Sequence, residues 1–362
     1  MGGKLARYFG LNFLGSVMAV FAGIFLLVTL FDYIEMMRRT ANIPNVSTLL
    51  VAKVSLYRVP QVTERTLAFC VLIGAMSCYL NMSRRLELVI ARSAGVSAWQ
   101  FITPALVVAL LLGVMATAIY NPISAMMQER AKRLEAEIFN SNTLGRPASG
   151  GTFWARQRTP DGQAIVNARS SSNQGVNLGG VTVFTFDTAG RFQERIEAKS
   201  ALLETGFWLL DDVRVYAAAT PPSDRDSYRL RTNLTHEQVR ESFATPETVP
   251  IWLLPSYITT AEHAGLVAAG YRLQYQKLLA RPFLLASMVL LAAAVSLRFF
   301  RFGGVQKMIL SGIAAGFLLY ILSKVTEDFS KAELMHPVAA AWLPVLAGGL
   351  TGLVALLYQE DG

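Results

Sequence analysis

The chain has 362 residues and a formal net charge of +8, and 53% of its residues are hydrophobic while only 16% are charged. Ordinary soluble domains carry about 25% charged residues, so this composition excludes a soluble globular protein. Together with a mean hydropathy of +0.39, it predicts a membrane protein.

Six apolar stretches follow one another along the chain. Three are long enough to cross roughly 30 Å of hydrocarbon, and three are shorter or more broken but extend by a turn at their ends. The first is too long for the apolar core of a signal peptide and no small-residue cleavage site follows it, so we expect it to be retained. We therefore predict six transmembrane helices. In chain order the stretches are Leu11 to Phe31, about Val62 to Leu80, Phe101 to Tyr120, about Leu278 to Leu297, about Met308 to Ser323, and Val338 to Tyr358.

A region of water-soluble composition, roughly Met126 to Gln276, separates the first three spans from the last three. Its stretch VTVFTFDTAGRFQERIEAKSALLETGFWLLDDVRVYA alternates apolar and polar residues around turn signals at Asp187 to Gly190 and Glu204 to Gly206. This pattern predicts an inserted all-β sandwich or jelly roll. The predicted domains are 1–135, 136–274 and 275–362. Further strands are expected around Thr152 to Trp154, Gln163 to Ala168, Tyr228 to Asn233 and His236 to Glu241.

The basic residues beside the spans give a weak orientation signal. With a cytoplasmic amino terminus, eight Lys and Arg residues of the short flanks lie inside and seven lie outside. The β-rich region resembles extracytoplasmic modules more than cytoplasmic ones, which favours the same topology. We predict that both termini are cytoplasmic and that the β domain lies on the outer side.

Cations on the outer side of a membrane need a reason to be there. One interpretation is that they bind phosphates, since two of them lie at i, i+3 on one helical face. The other is that they are interface anchors that reach lipid headgroups from the span ends, with Glu129 and Glu135 neutralising some of them. The candidates are Arg38 and Arg39 at the end of the first span and Arg130 and Arg133 after the third.

Motifs for chemistry are mostly absent from the sequence. No GxxxxGK[ST] loop is present, so nucleotide hydrolysis would belong to another chain. The three histidines, His236, His263 and His336, lack metal-ligand spacing. Cys70 and Cys78 lie two helical turns apart, too far for a disulfide. We expect no catalytic residue, no metal and no cofactor on this chain.

Small residues and acids within the spans suggest packing rather than catalysis. Gly312 and Gly316 in the fifth span and Gly348 and Gly352 in the sixth each form a GxxxG pattern, which lets helix backbones approach closely. The partner helix is either within this chain or in another subunit. Asp32 and Glu35, at the outer end of the first span, are expected to meet water or a basic neighbour.

A charged segment, residues 84–97, joins the second and third spans. Apolar residues such as Leu86 and Ile90 fall near one helical face, and Gly95 ends or loosens the last turn. Such a helix is suited to docking into a groove on a cytoplasmic partner, or it lies flat on the membrane surface. The charged residues that project elsewhere are Arg85, Glu87 and Arg92.

Several segments, in order, resemble the LptF/LptG permeases of the lipopolysaccharide exporter, an ABC-type machine. They are RRLELVIARSAGVS, NPISAMMQERAKRLEAEI, FWARQRTPDGQAIVNA, AGYRLQYQKLLARPF and SGIAAGFLLYILSKV. The resemblance covers nearly the whole chain and includes the arrangement of three spans, an inserted domain and three spans. The lead-in YITTAEHAGLVAAGYRLQYQKLLARP is more similar to the G-type than to the F-type subunit.

The resemblance implies a set of partners and a bacterial inner-membrane location. It implies a heterodimer with an F-type permease, a dimer of cytoplasmic ATPase subunits that holds ATP and magnesium, and a single-span periplasmic bridge protein, with lipopolysaccharide as substrate and no nucleic acid. The β domain would be a periplasmic jelly roll. Residues 86–95 would be the coupling helix, with Glu87 meeting a basic residue of the ATPase.

The resemblance also assigns the outer cations. Arg38, Arg39, Arg130 and Arg133 would line the rim of the cavity where lipid A phosphates lie, while Asp32 departs from a cation that a G-type permease can carry. Acyl chains would fill the cavity and then the β domain, where alternation places five residues inward: Val183, Ile196, Leu203, Trp208 and Val213.

Three other functions compete with this interpretation. A membrane-anchored periplasmic scaffold would show no dependence on nucleotide. A lipoprotein-releasing permease usually places its large domain after the first span, unlike this chain. An integral membrane enzyme acting on lipids would need a catalytic constellation that the sequence lacks, and it predicts loss of function when the histidines are replaced.

Overall fold

A computed structural model provides the fold. It describes residues 3–41, 43, 46–87, 90, 93, 95, 97–140, 153–159, 162–172, 176–187, 190–217, 220–232, 245–263, 268–302 and 305–360.

The first three spans are formed by long helices. Helix α1 covers Gly3–Thr40 and α2 covers Thr48–Arg84. Helix α3, Ala98–Met115, passes through a π-helical turn, Ala116–Tyr120, directly into α4, Asn121–Asn140. Serine side chains cap two of these helices, because the hydroxyl oxygens of Ser47 and Ser97 accept N–H groups of the first turns of α2 and α3.

The second bundle follows the inserted domain. A short helix α5, Leu254–His263, precedes α6, Ala269–Phe302, α7, Val305–Lys331, and α8, Pro337–Glu360. Six helices in the described residues are long and apolar enough to cross a membrane, with α3, the π-helical turn and α4 counted as one. The six predicted spans are confirmed.

Each spanning helix is longer than the apolar run that predicted it. Helix α1 has 38 residues, about 57 Å at 1.5 Å per residue, whereas hydrocarbon is roughly 30 Å thick. The apolar run marks only the part of a helix that meets hydrocarbon. The helix continues into the headgroup layers, where polar side chains are tolerated.

The inserted domain contains one antiparallel sheet of six strands that follow chain order. Each described strand pairs with its neighbours in sequence, so the connections between them are hairpins. The predicted β structure of the inserted region is confirmed by this sheet, and α5 adds a helix within the predicted bounds 136–274. The predicted strand at His236 to Glu241 lies outside the described residues. The strands are β1, Phe153–Thr159; β2, Gly162–Ser172; β3, Asn177–Phe186; β4, Phe192–Glu204; β5, Phe207–Ala217; and β6, Thr220–Arg231.

The two turn signals read from the sequence form hairpin turns. The N–H of Gly190 donates to the carbonyl of Asp187 at 3.0 Å, and the Asp187 carboxylate accepts the N–H of Arg191 at 2.8 Å. Gly190 and Gly206 have φ values of +79° and +88°, a region that favours glycine because it has no Cβ. The turns fix the register that pairs Val183 with Ile196 and Leu203 with Trp208.

Two separate apolar cores follow from this architecture. The helices bury a cluster that includes Phe13, Leu72, Phe101 and Leu285. The sheet buries alternate residues of β2 to β6, among them all five of the residues placed inward by alternation. In the sheet, every second side chain along a strand points to the same face and forms the core. In the helices, side chains three and four positions apart share a face and form the other core.

The chain packs into two compact units. One comprises residues 1–134, 247–252 and 269–362, and the other comprises residues 135–246 and 253–268. Residues 247–252 therefore pack with the membrane helices although both flanking segments belong to the other unit. The alternation pattern could not indicate this, because the segment has neither a helical nor a strand period.

Candidate functional site

The cations at the carboxyl-terminal end of α1 share one acid. The carboxylate of Glu35 lies 2.8 Å from Arg38 Nη2 and 2.8 Å from Arg39 Nε, one helical turn away. The side chains of Arg38 and Arg39 are 78% and 50% exposed. Exposed pairs of this kind contribute about 0–1 kcal/mol, so a doubly charged phosphate can exchange for the carboxylate.

The cations on α4 follow the same pattern. Arg133 pairs with Glu129 at 2.5 Å across one helical turn, and both side chains are largely exposed. Arg130 is exposed on the same helix. Glu129 is one of the two acids that were expected to neutralise nearby cations, and it forms an ion pair with Arg133. The four predicted rim cations lie in two groups, one on α1 and one on α4.

Asp32 faces a cation of its own chain. Its carboxylate oxygen Oδ1 lies 3.7 Å from Arg58 Nε of α2, and the two side chains are 15% and 25% exposed. Arg58 also contacts the sulfur of Met36. The acid therefore links α1 to α2, which fits the expectation that it meets a basic neighbour.

The segment between α2 and α3 starts with a sharp bend. Leu86 has a φ of +62°, a left-handed conformation that costs a non-glycine residue energy and that often occurs at functional sites. The N–H of Ile90 donates to the carbonyl of Leu86 at 3.0 Å, which is a helical hydrogen bond. Gly95 has a φ of +83°, as expected for a residue that ends a turn.

Most of the described side chains in this segment are exposed. Leu86 and Ile90 are 59% and 65% exposed, and Arg85 is exposed as well. Glu87 accepts a hydrogen bond at 3.1 Å from the hydroxyl of Tyr8 in α1. Its second oxygen is buried and has no hydrogen-bond partner among the described residues. Arg92 lies outside the described residues.

All four GxxxG glycines face side chains or backbone of this chain. A Cβ on Gly312 would lie 2.3 Å from the sulfur of Met76, and one on Gly316 would lie 2.5 Å from Leu72, so both glycines face α2. Gly348 faces Leu319 of α7, and Gly352 faces the backbone of Leu290 and Leu291 in α6. The close approaches lie within the second bundle and between it and α2.

A buried charge cluster, which the sequence analysis did not identify, joins three helices. Glu64 of α2 is 6% exposed and forms an ion pair with Arg281 of α6. The amide of Asn121 in α4 donates to Glu64 at 2.8 Å, and the hydroxyl of Ser124 donates to it as well. Ionisable residues inside spans are costly and pair with one another. Their presence in two apolar runs was the available signal.

A cavity of about 300 Å³ lies beside this cluster. Its charged lining residues are paired among themselves: Glu64 with Arg281, Arg65 with Glu247, and Glu327 with Lys277, Lys324 and Lys331. Lys277 and Glu327 are 2.8 Å apart and connect α6 to α7. These pairs hold the helices together around the cavity.

The described residues hold no group of three His, Cys, Asp or Glu side chains that could bind a metal ion. The backbone N–H of Val338 donates to Nδ1 of His336 at 3.3 Å, so this histidine caps the start of α8. Cys70 and Cys78 are buried free thiols. His236 lies outside the described residues.

Comparison with known proteins gives a consistent result. A family model described as "Lipopolysaccharide export system permease LptF/LptG" matches residues 7–358. The lipopolysaccharide export system permease protein LptG of Escherichia coli strain K12 is 23% identical over 371 aligned residues, covering 99% of this chain and 99% of that protein. LptG of Haemophilus influenzae is 23% identical and covers 94% of this chain and 95% of its own length.

Proposed function

Because the chain belongs to the LptF/LptG family of lipopolysaccharide export system permeases, we propose that it forms one half of a heterodimeric permease together with an F-type subunit. The family resemblance read from the sequence is confirmed, and the chain is a multi-pass inner-membrane permease subunit for lipopolysaccharide export. It is a transporter subunit rather than an enzyme. The match over residues 7–358 carries this conclusion.

The partner ATPases supply the energy in this proposal. A dimer of cytoplasmic subunits binds ATP and magnesium, and a single-span bridge protein receives the lipid on the periplasmic side. Both termini are cytoplasmic and the β domain is periplasmic. The absence of a phosphate-binding loop from the sequence supports the assignment of hydrolysis to another chain.

Residues 84–97 dock into the ATPase. Exposed Leu86 and Ile90 provide the apolar contact, and the half-buried carboxylate of Glu87 meets a basic side chain of the partner. The bond from Tyr8 holds Glu87 against α1. Closure of the ATPase dimer therefore pushes directly on the helix whose other end carries Arg38 and Arg39.

The rim cations bind lipid A phosphates in the same proposal. Arg38, Arg39 and Arg133 exchange their exposed intrahelical carboxylates for a more highly charged anion. Exposed Arg130 adds a further cation, and acyl chains occupy the apolar cavity between the two permeases. The five residues that alternation placed inward, all of them part of the sheet core, are the acyl-chain contacts in the β domain.

The first experiment is purification of the chain from its native membrane in mild detergent, followed by mass spectrometry of what accompanies it. We expect an ATPase subunit, a second six-span permease and lipid A species. A lone chain without ATPase or lipopolysaccharide would contradict the proposal and favour a periplasmic scaffold.

The same preparation tests the coupling segment. Glu87→Arg should release the ATPase because it places two cations against each other. Glu204→Arg, an equal charge reversal in the β domain, should retain the ATPase. Retention of the ATPase by Glu87→Arg would remove Glu87 from the interface.

The rim is tested by Arg133→Glu. Loss of a charge-assisted hydrogen bond, about 1.5–3 kcal/mol, should lower lipopolysaccharide occupancy by roughly tenfold or more without dissociating the complex. Lys4→Glu is the control. It makes the same charge change at the amino-terminal end of α1, away from Arg38 and Arg39, and should leave lipopolysaccharide occupancy unchanged. Unchanged occupancy in Arg133→Glu would exclude a role for that residue in phosphate binding.

A further inference from the structure

The six residues 247–252, here called the return segment, connect two stretches of the β-containing unit while packing in the membrane unit. A short helical turn, Pro246–Thr248, opens the segment. Val249 and Ile251 are 2% and 6% exposed, so the segment is anchored by apolar burial. Because the segment is covalently continuous with residues 135–246 and 253–268, a displacement of the segment also displaces the ends of those two stretches.

Polar contacts hold both ends of the return segment. At its start, the side-chain amide of Gln61 donates to the carbonyl of Glu247 at 3.3 Å, and Arg65 lies 3.2 Å from the Glu247 carboxylate. Near its end, the backbone N–H of Ile251 donates to Oδ1 of Asn121 at 3.1 Å. Helix α2 therefore holds the first end and α4 holds the second.

The buried cluster determines where Asn121 points. An asparagine amide has a donor side and an acceptor side, and Asn121 uses its donor on Glu64 at 2.8 Å. Its acceptor is thereby directed at Ile251. Glu64 is fixed in turn by Arg281 of α6 and by Ser124. The contact with Ile251 is thus set by the relative positions of three spans.

Asn121 also lies directly after the π-helical turn, Ala116–Tyr120. Turns of this kind interrupt the regular helical ladder and are frequent at functional sites. The hydroxyl of Tyr120 lies 2.7 Å from that of Thr63 in α2, and Thr117 donates to the carbonyl of Leu278 in α6 at 3.1 Å. The turn that places Asn121 is therefore itself tied to the two neighbouring helices.

We propose that Asn121 and Glu64 are positioning residues for lipid transfer, which hold the return segment so that movement of the second, third and fourth spans moves the β domain. This inference rests on the proposed function, since it assumes that the spans move during an ATP-driven cycle. Neither residue contacts substrate. Their role is to link a helix rearrangement to the domain that receives the lipid.

The test uses the complete complex of both permeases, the ATPase dimer and the bridge protein, reconstituted with lipopolysaccharide. A photo-crosslinking residue replaces Tyr228, which lies against the sheet core, and reports lipid arrival in the β domain. Asn121→Leu should reduce ATP-dependent crosslinking by about tenfold, within the usual range of coupling between sites, while ATP hydrolysis stays near the unsubstituted rate. Thr326→Ala is the control and should leave transfer unchanged, because it removes a buried hydroxyl of α7 that contacts the carbonyl of Ala340 and neither Glu64 nor the return segment.

A rescue experiment separates positioning from support of the fold. In the Asn121→Leu background, Gln61→Cys and Glu247→Cys joined by a short thiol-specific crosslinker should restore transfer, because the segment is then held covalently to α2. Gln61→Cys alone should not restore it. If Asn121→Leu does not fold, Gln61→Ala with Arg65→Gln loosens the other end and should also lower transfer relative to ATP hydrolysis.

Three outcomes are distinguishable. Normal transfer by Asn121→Leu would overturn the inference. Equal loss of hydrolysis and transfer that the crosslinker does not restore would overturn it as well, because it indicates a general role in folding. A complex without substitutions at these helix positions that shows no ATP-dependent transfer would instead refute the proposed function.

Discussion

The exposed cations of the predicted rim and the charges buried between the helices are organised in opposite ways. At the rim, Arg38, Arg39 and Arg133 pair with acids of their own helix, one turn away and exposed to solvent. In the interior, Glu64 pairs with Arg281 of a distant helix and is almost completely buried. An exposed pair within one helix contributes little free energy, so its cation can change partners readily. Breaking a buried pair between helices costs much more, so such pairs hold the helices in position. This contrast fits the proposed function, in which lipopolysaccharide binds reversibly to the predicted rim while the buried pairs keep the helices in place.

The largest effect is expected from breaking the buried pair. Glu64→Leu leaves Arg281 without its carboxylate and should destabilise the chain by about 3–5 kcal/mol. The double variant Glu64→Leu, Arg281→Leu removes both charges and should recover most of the loss. Thermal unfolding in detergent measures both. A double variant as unstable as the single one would show that the amide and hydroxyl contacts, rather than the ion pair, carry the stability.

The next largest effect concerns the close helix contacts around that interior. A Cβ on Gly352 would lie 2.8 Å from Cβ of Leu290 and 3.0 Å from backbone atoms of Leu290 and Leu291, which cannot yield easily. Gly352→Ala should therefore cost about 1–3 kcal/mol by overpacking. Gly349→Ala, whose Cβ meets only Ser287 at an ordinary 3.9 Å, is the control. Equal melting temperatures of the two variants would contradict the close packing.

In the β domain, the effect of burial on an ionisable group can be tested by changing the pH. Burial, reinforced by the hydrogen bond to the Glu194 carboxylate, raises the pKa of Tyr228 to about 12. The unfolded chain loses this proton near pH 10, so the folded state holds a proton that the unfolded state lacks between about pH 10 and 12. Stability from this group should be complete below about pH 10 and fall as the pH rises above it.

Urea unfolding of the full chain, followed by near-ultraviolet circular dichroism at several alkaline pH values, measures this dependence. Tyr228→Phe should flatten the part of the curve that Tyr228 contributes, while Tyr358→Phe, whose side chain in α8 is 84% exposed, should leave it unchanged. An identical alkaline loss in Tyr228→Phe would assign the effect to other groups.

The smallest effect is expected at the rim itself. Glu129→Gln frees Arg133 from an exposed pair and should change stability by about 1 kcal/mol or less. It should leave lipopolysaccharide occupancy unchanged or raise it, because the cation no longer has to exchange an intrahelical partner. Thermal unfolding and lipid analysis of the same preparation provide both readouts. A large loss of stability would contradict the view that the exposed pairs contribute much less to stability than the buried pairs.

Local patterns along the chain were enough to predict the helices, the strands and the class of protein. Apolar runs long enough to cross hydrocarbon predicted six spans, and period-two alternation predicted the strands and their buried residues such as Ile196 and Trp208, because both patterns are local. The ordered segments identified the family. The glycines and turn residues also marked their positions correctly, since close approach and positive φ constrain residue type at a single site.

The contacts between residues far apart in the chain could be identified from the folded structure but not from the sequence. Glu64 and Arg281 are separated by 217 positions, and no local pattern indicates that they form a pair. The same holds for Tyr8 with Glu87 and for the return segment, whose six residues carry no period that would assign them to the membrane unit. Burial makes an unpaired charge so costly that the fold must bring such partners together, but which partners meet depends on how the helices pack.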